Sequence, residues 1–370
     1  MKPYRRKFNL IAVKPDVTMR VLTPDRWYES FQEIHFVPES DIHCEEIPCP
    51  IRFSGYGSRF FYQRGIAQHF KDFQPDIIHL EEEAWSLNAL QTVRLKRKYC
   101  PNSRFIFRTS LSIPSKQRFG PLPVWIERRV FRETDMAFPL SENAGEILKQ
   151  KGYDGAQIPF PNGVDVSLFQ KQDMSELKES LGLNDSFVIG YLGRLLQMKG
   201  VDTLIEAVST LAKMVLYCPY MLLIVGQGED RDRFQEAAAE HQIADRIVWI
   251  DAVPPEEVPN YLNCMDTLVL PSRTTADWVE FFGRVLIESM ACEVPVIGSD
   301  SGEIPNVIGN AGLVFPEGDA KTLAARIGQL ENDQKLYRDL QRKGLERVQD
   351  FTWETIAERT YKVYQQLLAD

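Results

Sequence analysis

Short apolar runs alternate with helical segments from Phe187 onward, and this alternation constrains the fold more than any other feature. The runs are β-branched or aliphatic with little polar alternation, which is typical of parallel strands buried on both faces. The C-terminal half is therefore predicted to be an α/β unit with a parallel sheet. The predicted strands are Phe187–Leu192, Met221–Val225, Arg246–Ile250, Thr267–Leu270, Pro295–Gly298 and Gly312–Phe315, and the predicted helices are Val201–Leu216, Arg231–Glu240, Pro255–Cys264 and Gly283–Ala291.

The first half of the chain is predicted to be a second α/β unit. Its predicted strands are Phe8–Val13, Ile77–Leu80, Phe105–Phe107 and Met136–Pro139. Two domains are also the expectation for 370 residues, because one core rarely organises so long a chain. The segment IPFPNGVDVSLF at 158–169 is rich in Pro, Asn and Gly and suits a passage between units. We expect domains at 1–165 and 166–352, and a helix at 353–370 that packs back on the first domain.

The composition, with 44% apolar and 26% charged residues, is that of a globular protein in water. No stretch approaches the roughly 18 to 20 apolar residues of a membrane span. The N-terminus also lacks the features of a secretion signal, so a cytoplasmic protein is expected. The six cysteines are scattered without zinc-site spacing and are expected to be core residues or free thiols.

The net charge of -9 argues against a nucleic-acid partner, because binding phosphates requires a basic surface. Local basic runs nevertheless occur at 94–98 (RLKRK) and at Arg128, Arg129 and Arg132, on predicted helices. They are either solvated helix faces or a peripheral contact with an anionic membrane surface on the cytosolic side. The oligomeric state is left open.

In an open parallel sheet, ligands bind outside the carboxyl ends of the strands. After the first C-terminal strand, GYLGRLLQMKG supplies Gly190 and Gly193 for close backbone approach, and Arg194 and Lys199 as two cations. Two fixed positive charges at a strand end suit a diphosphate, although a glycine turn with solvated charges fits equally well. Neither this segment nor GQGED at 226–230 completes the three-glycine dinucleotide fingerprint.

After the fourth C-terminal strand, Glu280 and Glu288 stand eight positions apart with Phe282 and Gly283 between them. On one continuous helix this spacing covers about 12 Å and turns the side chains roughly 80° apart. That separation exceeds the about 5 to 9.5 Å of paired glycosidase carboxylates. It suits two carboxylates that each accept hydrogen bonds from hydroxyl groups at opposite ends of one long ligand. A solvent-facing residue for Glu288 and a helix-dipole acid for Glu280 are the structural alternatives.

The next strand is followed by GSDSGEIPNVIG. Ser301, Gly302 and Glu303 precede a predicted short helix that starts near Ile304 and Pro305. A proline at the helix start and a glycine just before it leave backbone N–H groups free, so this turn is a predicted phosphate cradle.

The segment EFFGRVLIESMACEVPVIGSDSGEIPNVIG resembles the signature of glycosyltransferase family 4, retaining enzymes of the two-domain GT-B architecture. Further matching segments are PNGVD at 161–165, GRLLQMKGVDTLIEA at 193–207, LLIVGQGED at 222–230 and LPS at 270–272. The resemblance implies two Rossmann-like doubly wound domains that face each other across a cleft. It also implies a UDP-, GDP- or ADP-linked sugar donor, hexose transfer to an acceptor hydroxyl, and no cofactor or metal.

By this resemblance, the catalytic residues are Glu280, which holds the donor sugar's hydroxyl groups, and Arg194 and Lys199, which neutralise the diphosphate. The donor-binding residues implied are Gly193, Phe282, Gly283, Glu288, Ser301, Gly302, Glu303 and Ile250. Glu288 would hold the ribose, and the nucleobase would lie near 250–253. A front-face displacement needs cationic leaving-group stabilisation more than a protein nucleophile. Asp230 and Asp232 have the spacing of a metal motif but are predicted to be capping and dipole acids.

The first half departs from the family in two places. The segment VKPDVTMR, after the first predicted strand, has no glycine, and FRTSLSIP replaces the histidine that many members carry after the strand at Phe105–Phe107. Candidates on the acceptor side are Arg108, which could orient the acceptor or the sugar, and the neighbouring Thr109. Glu82 and Glu83, in the acidic run after a strand, either bind a polar acceptor or belong to a solvated loop. A nucleotide-sugar epimerase, a phosphorylase and a non-catalytic sugar-nucleotide-binding homologue remain alternatives to a transferase.

Overall fold

The chain folds into two compact units in a computed structural model that describes residues 2–29, 32–38, 42–63, 65–111, 120–213 and 219–369. The first unit comprises Met1–Gly163 and Trp353–Asp370, and the second comprises Val164–Thr352. Each unit is an α/β unit with a parallel sheet, as the sequence predicts. Within the described ranges, no helix combines the length and the apolar character needed to cross a membrane.

The helices in chain order are α1 (Lys2–Ala12), α2 (Ile66–Phe73), α3 (Leu87–Tyr99), α4 (Pro121–Phe131), α5 (Glu142–Gln150), α6 (Ser175–Ser180), α7 (Val201–Ala212), α8 (Arg231–Glu240), α9 (Val258–Leu262), α10 (Arg284–Ala291), α11 (Ile304–Ile308), α12 (Ala320–Asn332), α13 (Gln334–Val348) and α14 (Trp353–Ala369). The strands are β1 (Arg20–Pro24), β2 (Arg26–Glu29), β3 (Gln32–His35), β4 (Glu45–Cys49), β5 (Ile51–Arg52), β6 (Phe61–Tyr62), β7 (Ile77–Leu80), β8 (Arg104–Thr109), β9 (Met136–Pro139), β10 (Phe187–Leu192), β11 (Tyr220–Val225), β12 (Ile247–Ile250), β13 (Thr267–Leu270), β14 (Val296–Ser299) and β15 (Gly312–Phe315). Short 3-10 helices occupy Gln197–Lys199, Ala244–Arg246 and Gln349–Phe351.

The second unit is built on a six-stranded parallel sheet in the order β12-β11-β10-β13-β14-β15. All six strand predictions are confirmed, each end within one residue. They succeed because β13 and β14 are buried at every position, so their sequences are continuous apolar runs. The helix predicted at Val201–Leu216 is α7, whose observed end is Ala212; residues 214–216 and Cys218 lie outside the described ranges. The other five cysteines are buried.

The strand order reverses between β10 and β13, which makes this pair the topological switch point of the sheet. The pairing of β10 with β13 requires a glycine at position 190, because a Cβ there would lie 1.9 Å from the sulfur of Met265. The loops that leave the carboxyl ends of β10 and β13 are therefore neighbours. They carry 193–200 and 271–283, which include the three predicted catalytic residues, Arg194, Lys199 and Glu280.

The first unit contains the parallel sheet β7-β8-β9 and three separate two-stranded pairs, β1-β4, β2-β3 and β5-β6. Helices α1 and α14 pack together on one face of this sheet, over a core that includes Ile106 and Phe138. The first residue of α14, Trp353, lies against Gly163, where an added Cβ would be 2.3 Å from the indole ring. The glycine of PNGVD therefore leaves room for the start of the C-terminal helix.

The strand predicted at Phe8–Val13 is wrong, because these residues belong to α1 and the turn after it. The buried positions Lys7 and Ile11 are four residues apart, which is a helical spacing, and Ile11 packs in the core beneath α14. Short apolar runs do not distinguish a strand from a buried helix segment by periodicity. The glycine-free segment VKPDVTMR accordingly follows a helix, so its comparison with a loop after a first strand does not hold.

Candidate functional site

The glycines after β10 and β11 bring two backbone segments into contact. Gly193 N donates to Val225 O at 3.0 Å, and a Cβ on Gly226 would lie 1.9 Å from Gly193 O. A Cβ on Gly228 would likewise lie 2.0 Å from Leu195 O. These glycines serve the close approach of the two loops, which directs the chain from Gly193 towards the switch point.

The carboxylate of Glu280 is buried beside the switch point and is held by two side chains. Lys199 Nζ lies 2.6 Å from Glu280 Oε2, and Ser272 Oγ donates to the same oxygen at 2.8 Å. The side chains of Lys199 and Glu280 are 13% and 11% exposed, and Ser272 is fully buried. Both contacts are made to Oε2, so they leave Oε1 able to accept hydrogen bonds from the hydroxyl groups of a ligand.

Two arginines lie on the same pair of loops, but only one of them forms an ion pair among the described residues. Arg273 Nη1 donates to Asp202 Oδ2 at 3.0 Å, which ties the start of the loop after β13 to α7. The side chain of Arg194 is exposed, and its carbonyl accepts the hydroxyl of the buried Tyr191 at 2.7 Å. Arg194 makes no ion pair with any residue that the structure describes, so its guanidinium remains available to an anionic ligand.

The turn after β14 supports the backbone of Glu280. Glu303 N donates to Glu280 O at 3.1 Å, and a Cβ on Gly302, whose φ is +54°, would lie 2.2 Å from that oxygen. Ile304 N donates to Ser301 O at 3.2 Å, and the Ser301 hydroxyl is 3.0 Å from Thr274 Oγ1. Two of the amides predicted to be free for a phosphate are therefore bonded within the chain, and the turn fixes the position of Glu280 instead.

The helix that carries Glu288 begins only at Arg284, after Gly283 in a left-handed conformation with φ +78°. Glu280 thus lies outside this helix, and the assumption of one continuous helix from Glu280 to Glu288 is wrong. The Glu288 side chain is 11% exposed, with Arg284 Nε 3.0 Å from Oε1. Burial raises the pKa of Glu288, and the Arg284 charge opposes that rise. The ring of Phe282 packs inward on Phe351, which leaves only its backbone to contact a ligand.

Two further predicted positions lie near the carboxyl ends of β11 and β12. Ile250 is half-buried at the end of β12, and its carbonyl accepts Gly226 N at 2.9 Å. Asp230 occupies the N-cap position of α8 as predicted, but its carboxylate accepts Gln197 N at 2.7 Å instead of capping the helix. Throughout the described ranges, no three histidine, cysteine or carboxylate side chains gather in an arrangement that would hold a metal ion.

In the first unit, Glu83 and Thr109 join the ends of β7 and β8. Thr109 Oγ1 donates to Glu83 Oε2 at 2.6 Å, and Ser110 N donates to Glu83 Oε1 at 2.8 Å. Thr109 is 1% exposed. The polar groups of this pair therefore bond each other and shape the loop.

Arg108 belongs to a buried ionic cluster in the same unit. Its Nη2 donates to Asn162 Oδ1 at 2.8 Å, and its Nε lies 3.7 Å from Glu81 Oε2. Lys7 on α1 also pairs with Glu81, and His79 Nδ1 lies 2.6 Å from the hydroxyl of Tyr364 on α14. Burial alone would raise the pKa of Glu81, but the Lys7 charge, the hydrogen bond from His79 and the Arg108 charge together hold this pKa well below its usual range. This cluster links both chain termini to the sheet.

Among the predicted acceptor-side residues, Glu82 has a shifted pKa. Burial raises its pKa to about 7, against the bond from Glu83 N to Glu82 Oε1 at 2.9 Å. Between pH 4.5 and about 7, the folded protein keeps a proton that the unfolded chain releases, so this group's contribution to stability falls as pH rises.

We expect Glu82→Gln to raise the unfolding temperature relative to the wild type above pH 7, because the buried charge is removed. The difference should shrink as pH falls towards 4.5, since Glu82 is then protonated in both states. Thermal unfolding across this range measures it, with the exposed Glu142→Gln as the control for loss of one carboxylate. A difference that does not change with pH contradicts the expectation.

Sequence reasoning missed three residues that the structure places beside Lys199 and Glu280 at the switch point of the second unit. Ser272 was visible in the LPS segment directly after β13, and Arg273 as a further cation at the same strand end. Trp278, whose ring centroid lies 4.6 Å from Lys199 Nζ, had no sequence signal, because its contact depends on the path of the intervening loop.

Two family models match the chain in succession. The model described as Glycosyltransferase Family 4 matches residues 13–168, and the model described as Glycosyl transferases group 1 matches residues 173–347. Together they span nearly all of both units.

A curated relative is the GDP-mannose-dependent alpha-(1-6)-phosphatidylinositol monomannoside mannosyltransferase of Mycolicibacterium smegmatis. It is 32% identical over 213 residues, which cover 56% of this chain and 55% of the relative. The chain thus spans about half the length of the curated relatives it matches.

Two solved structures share the fold. Sucrose-phosphate synthase from Thermosynechococcus elongatus has a TM-score of 0.71 at 22% identity, covering 99% of this chain and 93% of that chain. The Anabaena protein HepE in complex with UDP-glucose has a TM-score of 0.66 at 17% identity, covering 88% of this chain and 86% of that chain. The predicted fold class, with two α/β domains of the GT-B type, is confirmed.

Proposed function

We propose that this chain, which belongs to the glycosyltransferases described by the two family models, transfers a hexose from a nucleotide-diphosphate sugar to an acceptor hydroxyl. The observation that carries the proposal is the buried contact of Lys199 and Glu280 beside Ser272 at the switch point. A buried ion pair contributes little net stability compared with apolar packing. It does offer a carboxylate for sugar hydroxyls and an ammonium for phosphate within one site.

The proposed reaction retains the anomeric configuration. The bond from the anomeric carbon to the diphosphate breaks while the acceptor oxygen attacks from the same face, and the leaving diphosphate takes the acceptor's proton. Lys199 and the exposed Arg194 neutralise the charge that develops on the leaving oxygen, so no metal ion is required for that task. Glu280 Oε1 accepts from the donor sugar's hydroxyls, and Glu288 accepts from the ribose.

The donor class is supported by the names of the relatives. The Mycolicibacterium smegmatis relative is named as dependent on GDP-mannose, and the HepE structure contains UDP-glucose. For this chain, the proposed nucleobase contacts are the half-buried end of β12 at Ile250 and the exposed residues 251 and 252.

On the acceptor side, we assign Arg108 and Glu82 to contacts with the acceptor. We assign Thr109 and Glu83 to shaping the loop that presents them.

A thermal-shift screen tests the proposed function directly. UDP, GDP and ADP are compared with UDP-glucose, GDP-mannose and ADP-glucose, because a ligand that binds only the folded state raises the unfolding temperature. At a concentration 100-fold above Kd, the stabilisation is about 2.7 kcal/mol. We expect one base to be preferred and nucleoside diphosphate to be released only when an acceptor is added. A protein that none of the six ligands stabilises would rule out the proposal.

The basic runs support a proposed peripheral contact with an anionic membrane surface through the first unit. On α4, Leu122 and Trp125 are 58% and 50% exposed, and the exposed Arg128 follows at helical spacing. The carboxylate of Glu127 is buried and paired with Lys151, so it does not offset this exposed charge. An exposed tryptophan beside arginines is suited to the headgroup region of a bilayer.

We expect the wild-type protein to sediment with phosphatidylglycerol-containing vesicles and not with pure phosphatidylcholine vesicles. Leu122→Ser should weaken the binding, because it removes apolar surface that the headgroup region would bury. Leu368→Ser is the matched control, since Leu368 on α14 is 56% exposed. Equal vesicle binding by both variants argues against a role for α4.

A further inference from the structure

The loop between Ser272 and Glu280 is fixed at both ends and folds one aromatic side chain back over the site. At its start, Arg273 N donates to Met198 O at 2.8 Å, and Thr274 N donates to Glu317 Oε2 at 2.6 Å. Thr275 N donates to Trp278 O at 2.8 Å, which closes a tight turn. The loop therefore holds Trp278 in a defined place.

Trp278 lies beside the reactive end of the proposed donor site. Its ring centroid is 4.6 Å from Lys199 Nζ, within the range of a cation–π contact, and Lys199 in turn contacts Glu280. The ring of Phe281 lies 6.2 Å from the indole at an interplanar angle of 49°, and Phe281 is 38% exposed. Two aromatic side chains thus flank Glu280 in sequence, and one of them contacts the lysine that pairs with its carboxylate.

This combination matches the chemistry of a sugar ring. A pyranose presents hydroxyl groups around its rim and C–H groups on its faces. The hydroxyls require acceptors such as Glu280 Oε1, and the C–H face gains free energy when it covers an exposed aromatic surface. The other exposed residues of the loop, Thr274, Thr275, Ala276 and Asp277, provide no comparable apolar surface.

We propose that Trp278 and Phe281 form a platform on which a pyranose ring lies while its hydroxyl groups bond to Glu280. The assignment rests on the proposed function and extends it by naming the determinants of sugar specificity. Trp278 has a second role as a positioning residue, since its face holds the ammonium of Lys199 against Glu280. The ring belongs either to the donor or to a sugar acceptor, and the test separates these sources.

The test uses Phe281→Ala, which removes an exposed ring, and Leu345→Ala in the same unit as a matched control with the same 38% exposure. Calorimetric titration compares UDP with UDP-glucose and GDP with GDP-mannose. For a donor ring, Phe281→Ala should weaken the nucleotide sugar about 3- to 10-fold and leave the nucleoside diphosphate unchanged. For an acceptor ring, both donor affinities should be unchanged, and binding of methyl glucoside or methyl mannoside to the nucleotide-saturated protein should weaken instead.

Two Trp278 variants test the positioning role. Trp278→Ala should weaken UDP or GDP itself, because Lys199 loses its aromatic support, and Trp278→Phe should restore most of that affinity. If Phe281→Ala changes neither nucleotide-sugar nor glycoside binding, the platform is refuted. Equal nucleoside diphosphate affinity in all Trp278 variants refutes the positioning role. A wild-type protein that binds no nucleotide would instead overturn the proposed function itself, and the platform with it.

Discussion

Glu280→Gln is expected to lower the rate of sugar transfer about 10²- to 10³-fold while the protein remains folded. The substitution keeps the size and shape of the side chain and an oxygen that accepts from Ser272 Oγ, now 2.8 Å from the carboxylate. It removes the negative charge of Glu280. That charge holds Lys199 Nζ in place, and it also strengthens the hydrogen bonds that the donor's hydroxyls make to Glu280. Interactions of this kind accelerate the reaction when they are stronger in the transition state than in the ground state.

Steady-state transfer kinetics measure the loss, with circular dichroism and thermal unfolding to confirm the fold. The control is Glu256→Gln, because Glu256 is an exposed carboxylate in the same unit and its loss changes the net charge equally. We expect this control to transfer sugar at the wild-type rate. Full activity of Glu280→Gln would remove the carboxylate from the mechanism and leave the ion pair with a structural role.

The inner strands of the second unit's sheet could be predicted from the sequence because they are buried on both sides. In β13 and β14 every residue is buried, so the apolar run identifies the strand without reference to the rest of the fold. The first unit gave weaker signals. Residues 8–13 form an equally apolar run, but α1 is a helix because Ile11 packs beneath α14, which is distant in the sequence. Local pattern cannot report a contact between the two chain termini.

The positions of site residues could be predicted where these residues directly follow a strand. They could not be predicted where they depend on the conformation of a loop. Lys199 and Glu280 stand after β10 and β13, and the strand order brings those ends together at the switch point. The conformation around Glu280 was misjudged, because Gly283 starts the helix with a positive φ and so separates Glu280 from Glu288. The Glu303 amide, expected to be free, instead donates to the Glu280 carbonyl, a contact that depends on two loops meeting.

Lys199→Met should lower the transfer rate by a similar factor of about 10²- to 10³-fold. Methionine keeps an unbranched apolar stem that can pack against Trp278 but supplies no charge. The leaving diphosphate then loses one of its two proposed cations, so the affinity for nucleoside diphosphate should fall together with kcat. Kinetics and calorimetric titration of the nucleoside diphosphate measure both effects.

The matched control is Lys178→Met, which makes the same substitution in another lysine–carboxylate pair, 3.3 Å from Asp266 at the opposite, amino-terminal edge of the same sheet. It should leave transfer and nucleotide affinity intact. The double variant Lys199→Met with Glu280→Gln provides the sharper criterion, because residues in contact are not independent. If the two act as one charge-balanced pair, the double variant should lose far less than the product of the single losses. Strictly multiplicative losses would mean that Lys199 and Glu280 act separately, with the phosphate and sugar ends of the donor bound independently.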